Sequence, residues 1–242
     1  MAHDEASARA ILYALLANLG IAIAKTWAAW FTGSGSMLAE AIHSYADAGN
    51  QVLLFVGMRQ ARRPADAEHP LGYGKLSYFW SFIVALLLFS VGGLFSIYEG
   101  IHKLLAPEPL NLPWVGMAVL AVAIVLEALS LAGALREIRR LRGEQPLLDW
   151  VRQTRSAELV VILGEDIAAL VGLVVAFGFL GLTVLTGNPV YDALGSVVIG
   201  AVLVTVSMFI AQRIRGLLVG RSAEPALRAV IDRIIAADPA ID

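Results

Sequence analysis

Long apolar stretches recur along the chain, separated by shorter polar segments. Six apolar runs stand out, at Ala8–Trp30, Met37–Val56, Tyr78–Ile101, Trp114–Leu135, Leu159–Leu185 and Ala193–Ile210. A helix that crosses a bilayer needs about 20 mostly apolar residues. Backbone groups in lipid must bond within their own segment, and these runs are too long and too uniformly apolar for barrel strands. The pattern therefore predicts an all-α membrane protein with six transmembrane helices.

Lysines and arginines alternate between the segments that join the runs. The first and fifth connecting segments contain none, and the third contains only Lys103. The second, the fourth and the tail are basic, through Arg59, Arg62, Arg63 and Lys75, then Arg136, Arg139, Arg140, Arg142, Arg152 and Arg155, then Arg213, Arg215, Arg221, Arg228 and Arg233. Basic residues favour the cytoplasmic side. Both termini are therefore expected in the cytoplasm, which agrees with an even number of spans.

Composition supports a membrane class and excludes a soluble one. The 242 residues are 58% hydrophobic and 16% charged, whereas soluble domains carry about 25% charged residues. The chain has no cysteine, so a disulfide framework is excluded. The net charge of −2 argues neither for nor against nucleic acid, and no nucleic-acid partner is expected for this membrane class. The first run is not expected to be a signal peptide, because Asp4 and Glu5 stand where such a leader is positive.

The chain divides into a transmembrane domain, residues 1–220, and a short tail, residues 221–242. In the tail, Ser222 can cap a helix whose first turn contains Glu224 and Pro225. Apolar residues then recur at helical spacing, at Leu227, Val230, Ile231, Ile234 and Ile235. We expect an amphipathic helix here, at the start of a further domain or against a partner.

Ionisable side chains inside a transmembrane helix cost about 2.5–3.5 kcal/mol on insertion scales and are functional candidates. His43 and Asp47 lie in the second run at i, i+4 spacing, which places them on one helix face. Imidazole and carboxylate together can bind zinc or a neighbouring transition metal. The alternative is a hydrogen-bonded polar pair that holds helices together. Asn50 and Gln51 follow and could supply neutral oxygens.

Two adjacent acids, Glu165 and Asp166, lie in the fifth run, where no basic residue balances them. A cation or bound protons would balance this charge. Adjacent residues point about 100° apart, so one of the two, Asp166, is expected to face the second helix. Glu165 is a further ligand or a proton-carrying neighbour. The single charges Glu127 and Lys25 are expected to pair with each other or to serve a proton path.

The second connecting segment holds Asp66 and His69 at i, i+3 spacing, followed by a turn rich in glycine. These two residues could bind a metal ion in the cytoplasmic loop. A solvated loop with ordinary charges explains them equally well.

Several of these segments together resemble the cation diffusion facilitator family, whose members export zinc, iron or manganese. The matching segments are Ala39–Gln51, Glu68–Lys75 with the following Tyr78–Trp80, Tyr191–Gly200 and Leu218–Ala223. The resemblance covers the whole chain. It implies a divalent cation as the transported substrate, zinc before iron or manganese, with no further cofactor. It also implies a homodimer in a lipid bilayer.

The resemblance further implies a site of four ligands from the second and fifth helices. His43, Asp47 and Asp166 match that pattern, but Ile162 stands where the fourth ligand would be. The stretch around Glu165 resembles the branch related to zinc transporter nine, and Glu165 or water would complete the site. In the loop, Asp66 and His69 match a second site of some members, with Tyr73 in place of a histidine. Residues 221–242 resemble the first helix of the family's cytoplasmic αββα domain, so the rest of that domain is expected to be missing.

These inferences predict export of metal from the cytoplasm by alternating access, coupled to protons, in a bacterial inner membrane. Imidazole must be neutral to bind metal, so metal entry would displace protons. Two other hypotheses are a membrane-embedded zinc hydrolase with Glu165 as general base, and a scaffold protein in which the polar residues only join helices.

Overall fold

The computed structural model describes residues 18–220 and 225–237, and all regular structure within these ranges is helical. Helix α1 covers 18–32. The next helices are α2 (Gly35–Ala61), α3 (Lys75–Leu87), α4 (Phe95–Leu105) and α5 (Pro113–Arg142). They are followed by α6 (Leu147–Gln153), α7 (Ala157–Thr186), α8 (Val190–Val219) and α9 (Pro225–Ala237). A π-helical segment, Leu88–Leu94, joins α3 to α4 without a break.

Four helices of the described chain are long and apolar enough to cross a membrane, namely Lys75–Leu105, Pro113–Arg142, Ala157–Thr186 and Val190–Val219. These correspond to the last four predicted runs. Helix α2 is 27 residues long, but it is not one of these four helices. It carries the polar residues Glu40, His43, Asp47, Asn50 and Gln51. The first run begins at Ala8, and its residues before 18 lie outside the described part of the chain. Because all regular structure in the described ranges is helical, the predicted all-α class is confirmed.

Helix α8 lies at the centre of the bundle. It packs against α7, α2, α3, α4 and the π-helical segment, while α5 packs on the outside of α7. Glycines permit a close approach between α8 and the continuous helix Lys75–Leu105. A methyl group on Gly200 would lie 2.7 Å from the carbonyl oxygen of Gly93 and 2.6 Å from Ile97. Small residues on both helices therefore allow this close approach.

A buried carboxylate, Asp192, joins the start of α8 to the start of α2. Its oxygens accept hydrogen bonds from the Ser34 hydroxyl (2.6 Å), the Gly35 amide (2.6 Å) and the Ser36 hydroxyl (2.5 Å). An acid at a helix N-terminus satisfies free amide groups and is favoured by the helix dipole. Asp192 therefore caps α2, and at 1% exposure it is shielded from water.

The short helix α6 was not predicted from the sequence. Its Trp150 and Val151 pack against Ile138 of α5 and Val160 and Leu163 of α7, forming a second apolar cluster away from the main core. The guanidinium of Arg213, from α8, donates to the carbonyls of Val151 (2.8 Å) and Thr154 (2.7 Å). These contacts fix α6 against the ends of three long helices.

Helix α9 lies within the predicted amphipathic tail, and its side chains from 228 to 237 are all exposed. The proposed cap Ser222 and the first-turn residue Glu224 lie outside the described residues.

Candidate metal site

The predicted pair His43 and Asp47 meets on one face of α2. The His43 Nε2 and Asp47 Oδ2 atoms are 3.2 Å apart, and the two side chains are 1% and 18% exposed. Within the described residues, neither ring nitrogen of His43 makes a hydrogen bond, nor does Asp47 Oδ1. Buried polar atoms usually have partners. This pair therefore retains lone pairs for a ligand.

Asp47 lines a small cavity of about 40 Å³ between α1, α2, α5 and α7. That volume has room for an ion with a few water molecules. Three other acids line it as well: Glu165 and Asp166 from α7 and Glu127 from α5. The remaining lining residues are mostly polar, namely Asn18, Ile21, Ser44, Gln51, Ser130 and Ile162. Four carboxylates therefore share one cavity inside the bundle, where positive charge is favoured.

Glu165 is held toward α2 by Asn50. The Asn50 Nδ2 atom donates to Glu165 Oε1 at 2.6 Å, and both side chains are buried. Asn50 was expected to offer an oxygen to a cation, but it uses its amide nitrogen to hold the acid. Its Oδ1 atom is buried and has no hydrogen-bond partner in the part of the chain described. Gln51 lies in the cavity wall.

The candidate ligands lie near one another but do not form a complete coordination site. Among the described residues, no three His, Asp or Glu side chains converge closely enough to hold one metal ion. Ile162, which stands at the position of the missing ligand, lines the same cavity as Asp47 and Asp166. The set His43, Asp47, Asp166 and Glu165 therefore stays a prediction.

Lys25 forms its ion pair with Glu40, not with Glu127. Its Nζ atom lies 3.1 Å from Glu40 Oε2 and donates to Ser44 Oγ at 2.7 Å, and the two charged side chains are 3% and 0% exposed. Glu127 lies at the cavity instead. The sequence pattern was not interpreted as a pair of Lys25 with Glu40. It did contain a signal for that pair, because the α2 run has a second acid three residues before His43 and the preceding run has a single lysine.

The loop pair Asp66 and His69 belongs to a compact turn. The Asp66 carboxylate accepts from the amides of Glu68 (3.0 Å) and His69 (2.7 Å) and from the Tyr73 hydroxyl (2.6 Å). The Tyr73 hydroxyl, with the loop amides, holds the pKa of Asp66 below its usual range, and Asp66 raises the pKa of Tyr73. His69 Nδ1 lies 3.5 Å from Asp66 Oδ1. The Asp66 oxygens that a metal ion would need therefore already accept hydrogen bonds from within the loop.

Comparison with known proteins finds related sequences over most of the chain. Residues 11–217 match the model of the cation efflux transmembrane domain. The mitochondrial proton-coupled zinc antiporter SLC30A9 is 41% identical over 217 residues in Xenopus laevis and 37% identical in Homo sapiens, in both cases over 88% of this chain. Metal tolerance protein C4 of Arabidopsis thaliana is 31% identical over 99% of this chain.

The chain spans 39% of the length of the Xenopus protein, 38% of the human one and 53% of the Arabidopsis one. These relatives are named as a transporter or for metal tolerance and none is named as a hydrolase, so the hydrolase hypothesis is set aside. The match of one family model to most of the chain, together with these identities, shows that the chain belongs to the cation diffusion facilitator family.

Proposed function

We propose that the protein carries divalent metal cations across a membrane, with zinc as its main substrate and iron or manganese as further candidates. The observation that supports this best is the cavity shared by Asp47, Glu127, Glu165 and Asp166. Carboxylates inside a membrane protein are costly without a compensating positive charge. The names of the relatives, zinc antiporter and cation-efflux pump, support the same substrate class.

The proposed ligands are His43 and Asp47 from α2 and Asp166 from α7, with Glu165 in the fourth position. One imidazole and three carboxylates suit zinc, and also harder ions such as manganese. Asn50 donates to Glu165 Oε1, and a carboxylate has further lone pairs, so the other oxygen of Glu165 could bind the ion while this hydrogen bond persists. Small side-chain movements would bring the ligands together around the cavity.

The proposed transport cycle exchanges metal for protons. A metal-free site with four acids and a histidine would take up protons, and metal binding would release them. Alternating access would then expose the site to each side in turn. The proposal includes six transmembrane helices, with α1 and α2 completing the four apolar spans, and both termini in the cytoplasm. The homodimer and the bacterial inner membrane stay predictions, since the relatives include mitochondrial antiporters.

Zinc flux into proteoliposomes with a trapped fluorescent indicator tests the proposal. His43→Ala and Asp47→Asn should each reduce flux to background. The matched controls, His102→Ala and Asp149→Asn, change exposed residues away from the cavity and should retain it. Normal flux in the His43 or Asp47 variants would contradict the site. Zinc flux that does not respond to an imposed pH gradient would contradict proton coupling. Absence of zinc binding by the purified protein would favour the scaffold hypothesis.

A further inference from the structure

An apolar groove lies beside the short helix α6, outside the acidic cavity. Its volume is about 360 Å³, and it is formed by α6, the first half of α7 and the middle of α8. The groove is uncovered, since Leu148 of α6, Ile167 of α7 and Phe209 of α8 line it and remain 66%, 40% and 47% exposed. An exposed apolar surface of this kind indicates a binding surface.

The segment of the chain that includes α6 is rich in arginine. From residue 136 to residue 155 the chain carries six arginines and three acidic residues. Arg152 is exposed and lies one turn after Leu148, on the same face of α6. Arg213 fixes α6 to α8 through Val151 and Thr154, so α6 and the apolar groove keep a constant relation to each other.

We propose that the groove binds an anionic phospholipid, with an acyl chain between α6, α7 and α8 and the phosphate against Arg152 and the neighbouring arginines. The groove walls on α7 and α8 belong to helices apolar enough to cross a membrane, where lipid tails are the available apolar ligand. Basic residues between helices at a membrane surface bind acidic headgroups. The site is independent of the metal site, and its test does not require transport.

Charge also argues against a second copy of the chain as the occupant. A symmetric pair that covered both grooves would bring the two arginine-rich segments together, because the same surface patch meets itself across a twofold axis. Like charges in contact are unfavourable. An anionic lipid phosphate, in contrast, is attracted to the net positive charge of this segment.

Native mass spectrometry of the detergent-solubilised protein, titrated with phosphatidylglycerol or phosphatidylcholine, tests the site. The unmodified protein should bind phosphatidylglycerol more tightly. Arg152→Gln should weaken phosphatidylglycerol binding about fivefold, the equivalent of about 1 kcal/mol for one basic residue near a lipid headgroup. Its effect on phosphatidylcholine should be smaller. Equal affinity of the unmodified protein for both lipids would overturn the proposal.

Filling the groove gives a second, independent test. Thr205 lines the groove on α8, whereas Met208 is exposed on the same helix outside it. Thr205→Trp should abolish the tight phosphatidylglycerol site, and Met208→Trp should leave it intact. If Thr205→Trp does not give a monodisperse protein, Thr205→Leu replaces it and should weaken binding. Unchanged binding in the filled variant, or a change in its oligomeric state instead, would show that lipid does not occupy the groove.

Discussion

At the scale of single residues, the ion pair of Lys25 and Glu40 is the most deeply buried charge interaction in the described helices. Ser44 accepts a second hydrogen bond from Lys25, and Glu40 lies directly against Gly172 of α7, where a Cβ atom would collide with its carboxylate. The pair therefore joins α1 to α2 at a place where α2 meets α7. Burial of two charges is costly, so the pair stabilises the fold only while both partners are present.

Removing one partner should destabilise the protein strongly. Lys25→Met leaves Glu40 buried without its cation, and we expect a loss of about 3–5 kcal/mol in the free energy of unfolding. The double variant Lys25→Met/Glu40→Met replaces both charges with apolar groups of similar volume and should recover most of that loss. Thermal unfolding in detergent measures both. A double variant as unstable as the single one would show that the pair itself contributes net stability.

Ile162 offers a direct test of the incomplete ligand set. It lines the cavity with Asp47 and Asp166, so Ile162→Asp should add a carboxylate at the site. A charge about 4 Å from the ion contributes about 1 to 4 kcal/mol in a partly hydrated site, so zinc affinity should rise about fivefold or more. Isothermal titration calorimetry measures this affinity. Ile162→Asn adds polarity without charge, and an equal gain in this control would contradict the electrostatic explanation.

The sequence predicted which residues are candidates, but not all of their partners. His43, Asp47 and Asp166 could be found because charges are costly inside apolar runs. The pairing of Lys25 with Glu40, and the bond from Asn50 to Glu165, depend on how separate helices rotate against each other. No spacing rule within one helix determines that rotation.

At the scale of secondary-structure elements, the close contact of α8 with the helix Lys75–Leu105 depends on glycine. Gly200→Ala would place a methyl group 2.7 Å from a backbone oxygen of Gly93, which cannot move without shifting its helix. We expect a loss of about 1–3 kcal/mol in stability, as for overpacked cores. Gly178→Ala on α7, where the added methyl group meets nothing within 4 Å, should be neutral or slightly stabilising. Melting temperatures of the two variants check this, and equal values would contradict it.

Two of the strongly apolar elements were predicted to within a few residues at both ends. The third run, Tyr78–Ile101, corresponds to Lys75–Leu105, and the fifth, Leu159–Leu185, to Ala157–Thr186. The fourth run was predicted to end at Leu135, seven residues before Arg142, and the sixth at Ile210, nine residues before Val219. Helix α6 was missed because seven residues are too few for a periodic pattern. The π-helical segment Leu88–Leu94 was missed because its apolar sequence is equally compatible with a regular α-helix.

At the scale of the whole molecule, the absence of cysteine from the sequence makes the proposed topology straightforward to test. Single cysteines can be introduced at Glu144, before α6, and at Asn188, between α7 and α8; both positions are exposed. A membrane-impermeant maleimide should label Glu144→Cys only from the cytoplasmic side and Asn188→Cys only from the opposite side. Labelling of both from one side would contradict the proposed crossing of α7.

The acidic cavity itself is a property of the whole bundle. The sequence placed Glu127 on the fourth run without showing that α5 packs on α7 and brings this acid to the same space as Asp47. Charge pattern predicted the orientation of the helices, whereas their order around the cavity comes only from three-dimensional packing.

The carboxylate of Asp192 has a consequence for any motion of this bundle. Pulling the first turn of α2 away from α8 would break three hydrogen bonds at once and leave a buried anion without donors. The Ser34–Asp192 junction is therefore expected to stay closed in any rearrangement of the bundle, so that α2 and α8 move as a joined pair at this end.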